Sequence, residues 1–171
     1  MKRGVSGAPI PFGLPFSEEV TKACKPFDFP PCLAYAVRVN ETDSGTDPSV
    51  MQIGSVDGLM PDGSNAGRGI FQETSSWAEH WDDPLANAVY AIAVFLQPDW
   101  MFWTENTDLE GEQLVKVIAV SFNAGRGAAW KAHLQGDTDS ASTANYGARA
   151  VSVYRSLISN TFGEHGFPPH T

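Results

Sequence analysis

The stretch "PPCLAYAVRVNETDSGTD", residues 30–47, passes from two prolines through a compact apolar run to a single glutamate and then into small polar residues. Pro30 and Pro31 close one segment and open the next, because proline fits a helix only in its first turn. Over about residues 32–40 the apolar positions recur at helical spacing, which sets Ala34, Val37 and Glu41 on one face. The stretch therefore predicts a helix with Glu41 at its C-terminus. A carboxylate there meets the negative end of the helix dipole, so its ionised form is disfavoured and the group suits a proton donor. The plain alternative is a solvated helix end paired with Arg38 three residues back, contributing roughly a few tenths of a kcal/mol.

Outward from this helix the pattern stays mostly helical. Ser17 ahead of Glu18 and Glu19 reads as an N-cap with first-turn carboxylates and predicts a short helix over about residues 18–24. Residues 43–69 are rich in Gly, Asp, Ser and Asn, with "SVMQIG" and "GIFQ" as short apolar islands, and predict loops with one or two short strands. Helical spacing returns in "SSWAEHW", over 84 to about 95, over 109–122 and 126–134, and from 145 to about 158. No internal repeat is visible. The expected organisation is an N-terminal extension over residues 1–30 followed by one domain over residues 31–171.

Composition bounds the function classes. With 171 residues, 42% hydrophobic and 11% aromatic, the chain can bury a core without metal or disulfide staples and lacks the polar excess of disorder. A formal net charge of −9 without a compensating basic cluster argues against nucleic acid as a partner. Cys24 and Cys32 have no Cys/His ligand pattern around them, so zinc is not expected; a local disulfide and two reduced thiols both remain open. "DTDSAS" from Asp137 opens like a calcium loop, but Ser142 and Ala148 stand where that loop needs Gly and Glu. The expectation is no metal and no cofactor. Gly and Pro interrupt the opening residues, so no signal-peptide core forms, and the longest apolar run, 86–96, contains Asn87, ends by Pro98 and is too short to span a bilayer. Synthesis in the cytoplasm without membrane insertion is expected.

Three stretches combine small residues with an amide or a phenol: "GRGIFQ" (67–72), "SFNAG" (121–125) and "NYGARAVSVY" (145–154). Small residues let backbone approach a sugar ring, and Gln, Asn and Tyr can bond its acetamido and hydroxyl groups. A glycosidase also needs a carboxylic acid that stays protonated near neutral pH. With Glu41-Thr42, Gly69-Ile70-Phe71-Gln72, Phe122-Asn123-Ala124-Gly125 and Tyr146 in this order, the chain resembles the lysozyme-like lytic transglycosylase catalytic domain, a family that includes goose-type lysozymes. The resemblance covers about residues 32–157.

The resemblance implies a mainly α, lysozyme-like fold in which the Glu41 helix is central and residues 43–71 line one wall of a glycan cleft. It implies cleavage of the β-1,4 bond between N-acetylmuramic acid and N-acetylglucosamine in peptidoglycan, with Glu41 as general acid and base. Thr42, Phe71, Gln72, Phe122, Asn123, Ala124 and Tyr146 would bind substrate. Two positions depart from the family pattern: Thr42 replaces a serine and keeps its hydroxyl, whereas Phe122 replaces a tyrosine and loses a phenol.

A hydrolase would need a second carboxylate to activate water, and a lytic transglycosylase would not. Asp57 and Asp62 precede "GRGIFQ", and Asp62 lies within one residue of the place where goose-type lysozymes carry an aspartate; Pro61-Asp62-Gly63 also reads as a tight turn. Trp77 and Trp81, four apart, suit core packing better than sugar stacking. The competing class is a non-catalytic lysozyme-like module that binds glycan or builds a virion. The expected partner is a bacterial glycan strand, met by a monomer that acts on the cell wall, and a short unexported domain favours a phage enzyme over a wall-remodelling one.

Overall fold

The computed structural model describes residues 3–41, 69–72, 82–142 and 145–160. Its helices are α1 (Ser17–Cys24), α2 (Pro31–Glu41), α3 (Pro84–Ala91), α4 (Gln97–Asn106), α5 (Gly111–Ala124), α6 (Arg126–Leu134) and α7 (Tyr146–Ser159). Short 3-10 turns follow α1 at Lys25–Phe27 and α6 at Thr138–Ala141, and a π-helical turn, Ile92–Leu96, joins α3 to α4. The fold is mainly α, as expected. The "GIFQ" stretch forms a turn, closed by the Gln72 N–H on the Gly69 carbonyl at 3.1 Å. The rest of the expected loop-and-strand segment and "SSWAEHW" lie outside the described residues.

Every residue of α2 from Cys32 to Asn40 is buried. The single apolar face expected from spacing is thus too narrow a description: the helix is enclosed over these nine residues, with α7, α1 and α5 among the described elements packed on it. α7 packs along it, α5 packs along α7, and α1 closes against both α2 and α3. Leu33 and Val37 of α2, Ile118 and Val120 of α5, and Val153 and Leu157 of α7 belong to one apolar cluster. Residues ahead of α2 share that cluster through Val5, Ile10, Val20 and Phe29. They are also fastened by polar bonds: the Arg3 guanidinium donates to the carbonyls of Thr104 (2.7 Å) and Thr107 (3.2 Å), and the Ser6 N–H donates to the Tyr154 hydroxyl (2.6 Å).

Two local expectations are corrected. Ser17 is not the N-cap of α1; Phe16 holds that position in a left-handed conformation (φ 59°), and the Ser17 N–H is already bonded to the Leu14 carbonyl at 3.1 Å. Helix also continues through Pro98 to Asn106 where a stop was expected. Pro98 has no N–H for the Val94 carbonyl and its ring needs the space that carbonyl would fill. The wider π turn ahead of it, in which the Gln97 N–H reaches Ile92, relieves both problems. Even so, among the described residues no helix is long and apolar enough to cross a membrane. Cys24 and Cys32 are both free, and burial pushes their thiols up to about 12 and about 11, so they are protonated at neutral pH.

Close packing of α7 on α5 depends on Gly147. A Cβ added there would lie 2.5 Å from Asp139 Oδ1, 2.8 Å from Val120 Cγ2 and 3.0 Å from Lys116 Cγ. Val120 is in the fully buried core and Asp139 is held by the Lys116 ammonium, so neither can retreat freely. Gly147→Ala gains about 1 kcal/mol of helix propensity but adds overpacking of about 1–3 kcal/mol, or more where the neighbours are fixed. The expected result is a melting temperature lowered by several degrees in differential scanning calorimetry; a variant as stable as the parent would contradict this packing.

Candidate active site

Glu41 is the last residue of α2 and is partly exposed, whereas Cys32 to Asn40 ahead of it are buried. Burial pushes its carboxyl up to about 7, and a hydrogen bond donated by the Tyr146 hydroxyl to Oε1 partly opposes that rise. The helix end reasoned from sequence is there, but loss of water is the main cause of the raised proton affinity. The phenol is itself buried and its ionisation is pushed well above the usual tyrosine range, first by burial and then by the nearby carboxylate, so it remains a donor. Arg38 does not face this way: its Nη1 donates to the Tyr35 hydroxyl at 3.2 Å and lies 3.5 Å from the Pro15 carbonyl, with the guanidinium stacked on Phe16.

The meeting of α2 and α7 is tied by more than the phenol. Asn40 Nδ2 donates to the Tyr146 carbonyl at 2.8 Å, and Arg149 Nη1 reaches the Asn40 carbonyl at 3.4 Å. Asn145, left-handed at φ 59°, turns the chain so that Tyr146 begins α7 directly over the end of α2. Sequence reasoning missed Asn40 and Arg149. The one signal available was an amide set beside the acid in an otherwise apolar run.

The turn Gly69–Gln72 sits on a second framework. The Phe71 N–H donates to Asn87 Oδ1 at 3.0 Å, and Ile70 and Phe71 are fully buried. The Phe71 ring meets Phe122 edge-on (6.2 Å between centroids), and Phe122 in turn meets Phe95 (5.8 Å). Gln72, left-handed at φ 47°, folds its Nε2 back onto the Gly69 carbonyl at 2.8 Å. Phe71 therefore supports the turn from beneath, with no surface to offer a ligand, and Phe122 continues that aromatic stack. Asn87, a lone amide in an apolar helical run, was a legible signal that sequence reasoning read only as an interruption.

Asn123 is exposed in the last turn of α5 and Ala124, partly exposed, ends that helix. Gly125 (φ 83°) reverses the chain into α6, and the reversal is braced by Arg126 Nε on the buried Asp99 carboxylate at 2.7 Å. Ser121 in the same motif receives the buried Trp103 indole N–H at 2.8 Å. The structure thus joins Glu41 to Tyr146 and Phe71 to Phe122, while Gln72 and Asn123 bond neither pair. Thr42, Asp57, Asp62, Trp77 and Trp81 lie outside the described residues. Among the described residues no group of three His, Cys, Asp or Glu side chains is placed to hold a metal. A cavity of about 450 Å³ lined in part by Cys24, Phe29 and Pro31 sits at the opposite end of α2 from Glu41.

No family model matches the chain, and no curated protein matches it either.

Chemically, a carboxyl that titrates near 7 beside a permanent hydrogen-bond donor can give a proton to a bound oxygen and take one back at the same pH. The same shift makes Glu41 a stability liability. Its folded value of about 7 lies above the ordinary 4.5, so its stabilising contribution is complete below about pH 4.5 and is lost as pH rises to about 7. An amide in its place has no charge to bury and still accepts from Tyr146. Glu41→Gln should melt at the parent's temperature at pH 4 but several degrees higher at pH 8, for a difference of order 2–3 kcal/mol. Equal melting temperatures at pH 8 would contradict the raised proton affinity.

Proposed function

We propose that the chain is a peptidoglycan glycosidase of the lysozyme-like lytic transglycosylase kind, cleaving the β-1,4 bond between N-acetylmuramic acid and N-acetylglucosamine with Glu41 as general acid and base. The observation that carries this reading is the Glu41 carboxyl, held at the end of the enclosed central helix, raised to about 7 and capped on Oε1 by Tyr146. Capping one oxygen leaves Oε2 to hold the proton and face the glycosidic oxygen. The four motifs in family order, Glu41-Thr42, Gly69 to Gln72, Phe122 to Gly125 and Tyr146, support the substrate class.

In the first step Glu41 protonates the leaving oxygen as the bond from the muramoyl C1 breaks. In the second, the carboxylate accepts the proton of the muramoyl 6-hydroxyl while that oxygen closes on C1, giving an anhydro ring. A group titrating near neutrality serves both steps with little penalty in either. Gln72 and Asn123 would bond acetamido groups from the cleft walls, with Thr42 beside the acid. Hydrolysis would instead require Asp62 to direct a water. The single-glutamate route is preferred because it needs fewer residues.

A non-catalytic binding or virion module is favoured by one observation: Phe122 has no phenol and is committed to the stack with Phe71 and Phe95. Turbidity of a bacterial peptidoglycan suspension separates the two readings, since only the enzyme clears it. Glu41→Gln should lower the clearing rate by about 10²–10⁴ while remaining folded. Retention of a tenth of the parent rate would refute the role of Glu41. Mass spectrometry of the products should show muramoyl ends lighter by one water, with Asp62→Asn costing little; free reducing ends together with an inactive Asp62→Asn would establish hydrolysis instead.

A further inference from the structure

We infer that Asn40 is a positioning residue for Glu41: its side-chain amide and its backbone carbonyl fasten the last turn of α2 to the first turn of α7, and so hold the Tyr146 hydroxyl on the Glu41 carboxyl. Tyr146 is gripped at both ends. Its carbonyl takes the Asn40 Nδ2–H at 2.8 Å, and its hydroxyl reaches the adjacent residue, Glu41. One turn along α7, Arg149 Nη1 lies 3.4 Å from the Asn40 carbonyl. Two consecutive residues of α2 are thereby linked to one turn of α7 by three polar contacts. A phenol on a long, otherwise apolar ring is aimed only as well as its backbone is fixed, and Asn40 fixes it.

The second observation is that Asn40 makes poor sense as a residue chosen for stability. It is 9% exposed, and its Oδ1 is buried without a hydrogen-bond partner among the described residues. A buried acceptor left unpaired is destabilising, and an aliphatic side chain in an enclosed helix would avoid it. The half of the amide that is used is the donor that anchors Tyr146. Among the described residues, the charged or titratable groups near this junction are Tyr146 and Arg149 on α7 and Arg38 on α2, whose guanidinium turns to Tyr35 and Pro15; on α5, Lys116 pairs with Asp139. Of these, only Tyr146 acts on the Glu41 carboxyl through a hydrogen bond, and that bond lowers its proton affinity.

The assignment rests on the reading of Glu41 as proton donor, and it is tested by a measurement that does not require activity. In the ¹³C-labelled full chain, the Glu41 side-chain carboxyl signal is followed against pH. Asn40→Ala should raise the midpoint by about one pH unit, the size expected when a hydrogen bond to a charged group loosens. Tyr146→Phe should do the same, and the double variant should move no further than Tyr146→Phe alone. Asn40→Leu, which refills the volume without the donor, should reproduce Asn40→Ala and serves if that variant fails to fold. An unmoved or lowered midpoint in a folded Asn40 variant, additive shifts in the double variant, or loss of fold in both Asn40 variants would overturn the assignment. If the parent clears no peptidoglycan but the midpoint shifts as stated, the glycosidase reading fails and the role of Asn40 stands.

Discussion

A helix with no solvent face governs this structure. Once α2 is enclosed from Cys32 to Asn40, a polar group on it is stabilised only by a partner inside the protein, and the elements packed on it present apolar sides to it. Tyr35 meets that demand by donating its hydroxyl to the Pro15 carbonyl at 2.7 Å, and Arg38 by bonding the Tyr35 oxygen and lying over the Phe16 ring. The segment ahead of α1 is thus drawn in by the polar residues of α2 as much as by its own apolar side chains. The C-terminal helix is drawn in at the other end by Asn40 and Glu41.

That enclosure also sets the proton affinity of Glu41. An acid on an exposed helix end would stay ionised and inert near neutral pH, whereas one at the mouth of an enclosed helix loses enough water to keep its proton. The same desolvation that raises the proton affinity of Glu41 weakens the fold once the pH passes its titration. Tyr146 moderates this conflict by stabilising the charged form through one hydrogen bond, keeping the group poised between its two states instead of locked in the neutral one.

Much of this arrangement was legible because it is local. Pro31 starts α2, Gly125 separates α5 from α6, and α6 was read to its observed ends from spacing alone. Glu41 stood out because a charge at the end of an apolar run is locally unusual. What escaped the sequence depends on partners far along the chain. The motif suggests Phe71 as a ligand contact, and nothing local in the sequence says that its ring is buried against Phe122, fifty-one residues on. Asn40 and Asn87 satisfy backbone groups more than 100 and 16 residues away respectively, and nothing in their own neighbourhoods names those partners. Pro98 misled for the opposite reason, since a rule about α-helices does not apply to the turn that precedes it.

The π turn at Ile92–Leu96 also resets the phase of the long helix that contains it. In an unbroken α-helix, buried positions spaced four apart, such as Ala88, Ile92, Leu96 and Trp100, would drift around the axis by about 40° at each step. One wider turn in the middle offsets part of that drift, and beyond it Trp100 and Trp103 are buried, with Trp103 bonded to Ser121 of α5. The two halves of the helix therefore have independent registers, joined by a single extra residue that works as a spacer. Lengthening or shortening that spacer would leave α3 seated against α1 while swinging the tryptophan pair, and the Trp103–Ser121 bond with it, away from α5.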